Sequence, residues 1–533
     1  RRLRMAIRRR AWLAGAAALA AVRPTHAGES GLYRRGNDAD PETLDPHRSS
    51  TVAEAHILRD LFDGLVTYDN HGTIIPGAAR SWTVSEDGLT FRFDLRPDGR
   101  WSTGEPVTAD DFVYAFRRIL APATGAKYAE ILFPIRGAAG VNRGQTGDDA
   151  LGAIAEGPLR LTITLEQPTP YILELLTHQT AVPVHRTSVE RYGDSFTRPG
   201  NFVTNGPYRL VDRVPGGGIT LEVNPHHPEA GAIAIRRVAF LPMSDMASAV
   251  RRFAAGELDS LSDLPVDQIA DLRRRFGTQV VLGPSLGLEV LVVNTHKAPF
   301  SDRRVRRALS LLIDREYLAD GLYGGTMSPA YSICPPGIDN YRTPPETEGR
   351  QGLPIDHEAE ARRLLAEAGF GPGRPLRVEY RFNVSDNNRN TAVAIAEMWR
   401  DLGIETRFVY TDAKTHFAYL RDGGAFDVAR YAWIADYSDP QNFLFLLQTG
   451  NDGLNAGRWS NTAYDALLAR AGSERDLGRR ADLMYEAETI ALRELPWIPL
   501  MHYRSKALIA PRLHGYTPNV RNAAPTRFLR LDA

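Results

Sequence analysis

Patterns with the two-residue period of a strand and patterns with the 3.6-residue period of a helix follow one another along most of this chain. Leu89, Phe91, Phe93 and Leu95 alternate with Thr90, Arg92, Asp94 and Arg96, which puts the apolar set on one face of a half-buried strand. Val52, Ile57, Leu61 and Leu65, with Phe62 beside them, share one face of a helix expected over about 50–65. A helix over 108–120 opens with Thr108 as its N-cap and with Asp110 and Asp111 placed favourably for the helix dipole. The turn Pro215-Gly216-Gly217-Gly218 predicts a hairpin over 208–223. Ala308, Leu309, Leu312 and Ile313 mark another helical face, as do Ala361, Leu364, Leu365 and Ala368 ahead of a C-capping Gly369. This alternation predicts α/β lobes rather than a β-sandwich or a helical bundle. A chain of 533 residues outgrows a single core, so two or three lobes are expected.

Arg8, Arg9 and Arg10, the apolar run Ala11 to Val22 and the small-x-small site Thr25-His26-Ala27 read as an export signal over 1–27, cut after Ala27. The apolar run is too short to span a bilayer. Arg9-Arg10-Ala11-Trp12-Leu13 also resembles a twin-arginine export motif. Cys334 is the single cysteine, so no intrachain disulfide forms and stability must come from packed cores. The cleavage site carries no cysteine for a lipid anchor. Lys plus Arg and Asp plus Glu both number 64, which leaves no global positive field to gather nucleic acid.

Motifs for catalysis fail on context. Gly283-Pro284-Ser285-Leu286-Gly287 has the spacing of a nucleophile elbow, but the strand-like run Leu288 to Asn294 follows where a helix is needed. A turn between two strands is the better expectation. His226-His227, flanked by Pro225 and Pro228, predicts a surface loop rather than a metal site. No Cys and His cluster, phosphate loop or zinc helix is present, so neither a cofactor nor an enzyme is expected.

Collinear segments then carry a resemblance. Leu44-Asp45-Pro46-His47, Arg59-Asp60-Leu61-Phe62, Trp101-Ser102, Pro106-Val107-Thr108-Ala109, Val203-Thr204-Asn205-Gly206, Leu364 to Gly369, Phe426 to Arg430 and Trp433 to Tyr437 resemble the periplasmic oligopeptide-binding proteins, extracytoplasmic receptors of ABC importers. The resemblance implies an α/β, two-lobed periplasmic-binding-protein fold of type II with an extra subdomain and a hinge. Lobe I would comprise 28–62, 187–288 and 504–533, the added subdomain 63–186, and lobe II 289–503. The chain would cross between lobes near Glu289-Val290 and Tyr503-Arg504, natural hinge positions.

The resemblance also implies the site. Asp436 matches the carboxylate that receives a peptide's α-ammonium. Val52, Ala432 and Ile434 match positions whose main chains pair with the peptide, a mode that ignores side-chain identity. Tyr128 and Tyr503 match cleft tyrosines, or are ordinary core aromatics. Arg421 and Arg430 match basic positions able to take a carboxylate, or form ion pairs within the protein. Asn383 and Asn388 can hydrogen-bond ligand or water, or belong to a plain polar loop. The sequence departs from the family at Ser50, Ile434, Lys414 and Leu288 to Leu291, so the side-chain pockets are expected to differ. The implied partners are a short peptide and the membrane permease, with no cofactor, no nucleic acid and a monomeric receptor. The alternatives are a receptor for a metal chelate, sugar or opine, or an envelope hydrolase.

Overall fold

The computed structural model describes residues 31–451 and 453–532; the expected leader over 1–27 lies outside them. Several helices combine a side-chain cap with a buried face. Thr51 and Glu54 make a reciprocal capping box at the start of the helix Val52–Leu61, which buries Ile57, Leu58 and Leu61. At the start of Ala109–Leu120 the Asp111 carboxylate accepts from the Thr108 N–H at 2.8 Å and from its hydroxyl at 3.0 Å. The expected hairpin is present as the strands Tyr208–Val214 and Gly218–Val223.

One long sheet runs through the whole molecule. From one edge to the other its strands are Glu405–Thr411, Arg377–Asn383, Val428–Ile434, Val280–Val293, Trp497–Ile509, Ser260–Leu261, Leu32–Asn37, Arg237–Pro242, Gly218–Val223 and Tyr208–Val214, with Met327–Pro329 paired to Trp497–Ile509 off this path. The strands Val280–Val293 and Trp497–Ile509 pair antiparallel over nearly their full length, from Val280 opposite Leu508 to Val292 opposite Trp497. At one end they meet Ser260–Leu261. At the other, Gly287 to Val293 pair with Ile434 to Val428. These two strands are therefore the connection between the halves of the sheet, and their pairing shifts register between Pro284 and Leu288 and again between Glu289 and Val290.

That geometry corrects one expectation. Gly283 to Gly287 is not a turn between two strands but part of the single strand Val280–Val293. Proline lacks an N–H and tolerates extended backbone, so it fits a strand where the ladder is already broken. A second correction concerns His227: it is buried rather than on a surface loop, with Nε2 2.9 Å from Asp63 Oδ2. His226 beside it is exposed, as expected.

Side chains alternate across the sheet and feed separate cores. Leu288, Val290 and Val292 enter one apolar cluster with Trp497 and Phe443, while Leu291 and Val293 enter another with Trp399 and Tyr380. In the other half, Val238 and Phe240 join a large cluster, and Leu261 and Leu508 join a smaller one on the opposite face. The large cluster continues without interruption into the four-stranded sheet that includes Ala79–Val84, Thr90–Leu95 and Arg160–Thr164. This segment has its own sheet but shares its core with the lobe beside it. Among the described residues no helix is long and apolar enough to cross a membrane.

Candidate functional site

The strand Val428–Ile434 pairs with Val280–Val293 along one edge, but on the other Arg377–Asn383 reaches only Val428 and Ala429. Residues 430–434 therefore present an edge with no registered strand among the described residues. The direction of their polar groups follows from parity, because successive residues of an antiparallel pair point to opposite edges. The Ala435 N–H donates to the Leu286 carbonyl across the pair, at 2.8 Å. The Arg430 carbonyl faces the other way and meets His416 Nε2 at 2.9 Å. Ala432 and Ile434 thus turn their N–H and C=O groups to the open edge. Ile434 is 63% exposed.

Asp436 follows on the loop that leaves this strand. Its side chain is reached by solvent, yet it is flanked closely enough that burial, and then the neighbouring Glu130 charge, push its carboxyl above the ordinary range. Asp436 in turn raises the Tyr128 hydroxyl, after the larger effect of burial. Tyr128 and Ala129 pack with the large core of one half and Trp433 and Ala435 with a core of the other, so Asp436 and Glu130 face each other from different halves of the molecule. Tyr128 is held by His178, with ring centroids 5.0 Å apart. The loop itself is pinned by Asp439, which Arg480 grips with two hydrogen bonds of 2.7 and 2.8 Å, both side chains being fully buried.

Val52 stands in the same half as Tyr128, 56% exposed, but as the first residue of a helix rather than in a strand. A first-turn residue keeps a free N–H while its carbonyl enters the helix ladder, so Val52 can donate but cannot form a two-sided strand contact. Lys127 Nζ donates to Ser50 Oγ nearby, at 3.0 Å.

Arg430, Tyr503, Asn383 and Asn388 come together in one network around a residue that sequence reasoning did not assign to the site, Glu289. Arg430 Nη2 lies 3.1 Å from Glu289 Oε2 and 3.2 Å from the Tyr503 hydroxyl, and its Nη1 donates to Asn383 Oδ1 at 3.1 Å. Burial is the largest single effect on Arg430 and opposes its charge, but Glu289, Tyr503 and Tyr323 together outweigh it and raise its pKa. Tyr503 is pushed up by burial and by Glu289. Asn388 is buried and donates to the Asn383 carbonyl at 2.8 Å, so its amide serves the local fold. Glu289 Oε1 and Arg430 Nε are buried without a hydrogen-bond partner. The signal for Glu289 was an acid within the apolar run Leu288 to Val293. Arg421 stands apart from this network, at the end of the helix Ala413–Arg421 and exposed, with Asp422 as its ion-pair neighbour at 3.5 Å.

Comparison with known proteins fits this geometry. The periplasmic murein peptide-binding protein MppA of Escherichia coli is 34% identical over 483 residues, 90% of this chain and 89% of that protein. The unliganded open form of MppA superposes with a TM-score of 0.88 at 34% identity, covering 94% of this chain and 98% of the other. A second MppA structure, at the same identity, superposes at 0.75. Of these two structures of one relative, this chain therefore superposes better on the one described as open. OppA of Haemophilus influenzae in complex with RPPGFSPFR superposes at 0.72, with 31% identity and coverage of 94% and 99%. The probable deoxycholate-binding periplasmic protein YgiS of Escherichia coli is 33% identical over 488 residues, 91% of this chain and 90% of that one. The model for bacterial extracellular solute-binding proteins, family 5 middle, matches residues 73–455, and the chain belongs to that family.

Proposed function

We propose that this chain is the substrate-binding component of an ABC importer, capturing short peptides between its lobes in the periplasm and delivering them to the membrane permease. The observation that carries this reading is the placement of Asp436 at the end of an open strand edge. A peptide lying along that edge would exchange main-chain hydrogen bonds with Ala432 and Ile434 and set its α-ammonium against the carboxylate. Main-chain pairing selects for an extended backbone, and the ammonium contact fixes register. Val52 would add one N–H from the facing wall and Tyr128 would cover the amine end. Closure expels water from the cleft and strengthens each of these polar contacts.

The Glu289, Arg430, Asn383 and Tyr503 network forms the floor beyond the strand edge. Arg430 is already neutralised by Glu289, so a ligand carboxylate reaching it would compete with a buried acid. Arg421, exposed at its helix end, would act only on a longer ligand. The reading includes a leader over 1–27 removed after Ala27, and lobe boundaries near 62, 186, 288 and 503. Mass spectrometry of small molecules released by denaturing the exported protein tests it. Intact peptides with free N-termini are expected; a uniform non-peptide solute, or cleaved products, would overturn it.

A second reading, a receptor for another amphipathic solute, is favoured by one observation. Ile434 places a largely exposed apolar side chain in the cleft, and a relative of equal similarity is described as probably deoxycholate-binding. The same spectra separate the two.

A further inference from the structure

Arg430 spends on the protein almost everything it could offer a ligand. It stands at the inner end of the open edge, one alternation beyond Ala432. Its carbonyl, which faces that edge, is taken by the fully buried His416, whose Nε2 lies 2.9 Å away. Of the five N–H groups that a guanidinium carries, the two on Nη2 go to Glu289 Oε2 and the Tyr503 hydroxyl, one on Nη1 goes to Asn383 Oδ1, and Nε is buried. One Nη1 hydrogen remains, too few for the two-point grip of a carboxylate. Tyr503 closes the ring by donating to the same Glu289 oxygen at 3.3 Å. Gly287 makes room for it, since a Cβ there would stand 2.8 Å from the Tyr503 ring. Glu289 sits opposite Ala432 and Arg430 opposite Leu291 across the antiparallel pair, so acid and base are diagonal neighbours on one face. The Glu289 side chain is 3% exposed and that of Arg430 11%, so water screens the pair little.

We infer that Glu289 is a specificity-determining residue that shuts Arg430 against the ligand, so that the receptor reads the amine end of a peptide and not its C-terminal carboxylate. The inference rests on the peptide reading. With its amine on Asp436 and its backbone on this edge, a peptide runs antiparallel to Val428–Ile434, and its alternate residues face the edge. The first would pair with Ile434 and the third with Ala432, which delivers a tripeptide's carboxylate beside Arg430. There it meets a cation already balanced by Glu289, and the attraction of one is offset by the repulsion of the other. Drawing the guanidinium away would leave the buried Glu289 carboxylate unpaired, a cost that the new contact does not repay. A C-terminal amide, or a chain that continues past this point, brings no such charge. The ligand class that fits is therefore a peptide anchored at its N-terminus, with its C-terminal charge blocked or carried farther on.

Calorimetry with trialanine and trialanine amide, on the full mature protein and on its Glu289→Gln variant, tests this. Both peptides carry the free amine, so the ratio of their affinities cancels the Asp436 contact and any general loss of stability. On the parent the two are expected within about threefold of each other, a difference of the size screened charges leave. Glu289→Gln keeps an acceptor for Arg430 and removes the anion, so trialanine should gain on its amide by roughly ten- to hundredfold. An ion pair with only a structural role would leave that ratio unmoved by the substitution, and this result would overturn the inference. So would a parent protein that already prefers trialanine by about tenfold or more, a result that needs no variant to fold. Either of these leaves the peptide reading standing. Failure of the folded parent to bind both peptides overturns the peptide reading and the inference with it.

Discussion

Arg480 and Asp439 form a bidentate ion pair with 2.7 and 2.8 Å hydrogen bonds, and neither side chain is more than 1% exposed. The pair lies just beyond Asp436 on the loop that carries it. Its burial makes it a fixed point: the loop cannot shift without exposing or unpairing a charge.

Replacing Arg480 by alanine leaves the Asp439 carboxylate buried without its partner. The cost of breaking such a pair is about 3–5 kcal/mol. Urea denaturation of Arg480→Ala is expected to show that loss, while Arg480→Lys, which keeps the charge but not the bidentate fork, should fall between. Unchanged midpoints in both variants would show that the pair does not hold the loop.

Glu488 is expected to make stability fall as pH rises toward neutrality. It is fully buried, accepts hydrogen bonds from the Ile333 and Cys334 amides at 2.7 and 2.9 Å and from the Tyr341 hydroxyl at 2.6 Å, and burial pushes its pKa from 4.5 to about 7. Because the folded-state value is raised, the folded protein holds the extra proton between those limits. The associated stability is present in full below 4.5 and lost as pH rises through about 7. Glu488→Gln keeps an acceptor for both amides and removes the titration. Relative to the parent it should be stabilised by roughly 2–3 kcal/mol at pH 8 and little changed near pH 4.5. Parallel curves for the two proteins across this range would contradict the assignment.

Ile434 separates main-chain from side-chain recognition. Its N–H faces the open edge, so Ile434→Pro removes no ladder bond within the protein but removes one offered to the ligand and obstructs the edge. A peptide affinity loss of about 1–3 kcal/mol is expected from an unmet buried partner, with Ile434→Ala nearly silent. Calorimetry on both variants decides; a silent proline would mean that the edge is not used.

Asp436 binds an ammonium only when ionised. Since burial and Glu130 raise its pKa in the open protein, affinity should begin to fall on acidification at a higher pH than an ordinary aspartate would allow. Ligand binding should release protons in that range, because the ammonium lowers the pKa it meets. Calorimetry in buffers of different ionisation enthalpy measures the release. Proton uptake there would reverse the assignment.

Local pattern made much of this fold legible. The cap Thr108, the alternation about Phe91 and Phe93 and the glycine turn before Ile219 are decided by neighbours in sequence, and the structure has the elements they call for. Failures came where a distant partner decides. Pro225 and Pro228 suggest a loop for His227, but Asp63, 164 residues away, draws its ring inside. Gly283 and Pro284 look like a turn, yet the facing strand Trp497–Ile509 keeps them extended. For Arg430 the sequence left two roles open, a ligand carboxylate or an ion pair within the protein; the buried Glu289 with which it pairs stands 141 residues earlier and could be seen only as an acid among apolar neighbours.

The central claim is that Asp436 receives the free amine of a peptide. Calorimetry should compare a free tripeptide with its N-acetylated form on the parent protein, and the free tripeptide on Asp436→Ala with folding verified separately. Removing either partner should weaken binding by about 3–5 kcal/mol, roughly two to four decades in Kd. Equal binding of the acetylated and free peptides would contradict the account, and with it the assignment of Asp436 as the anchor.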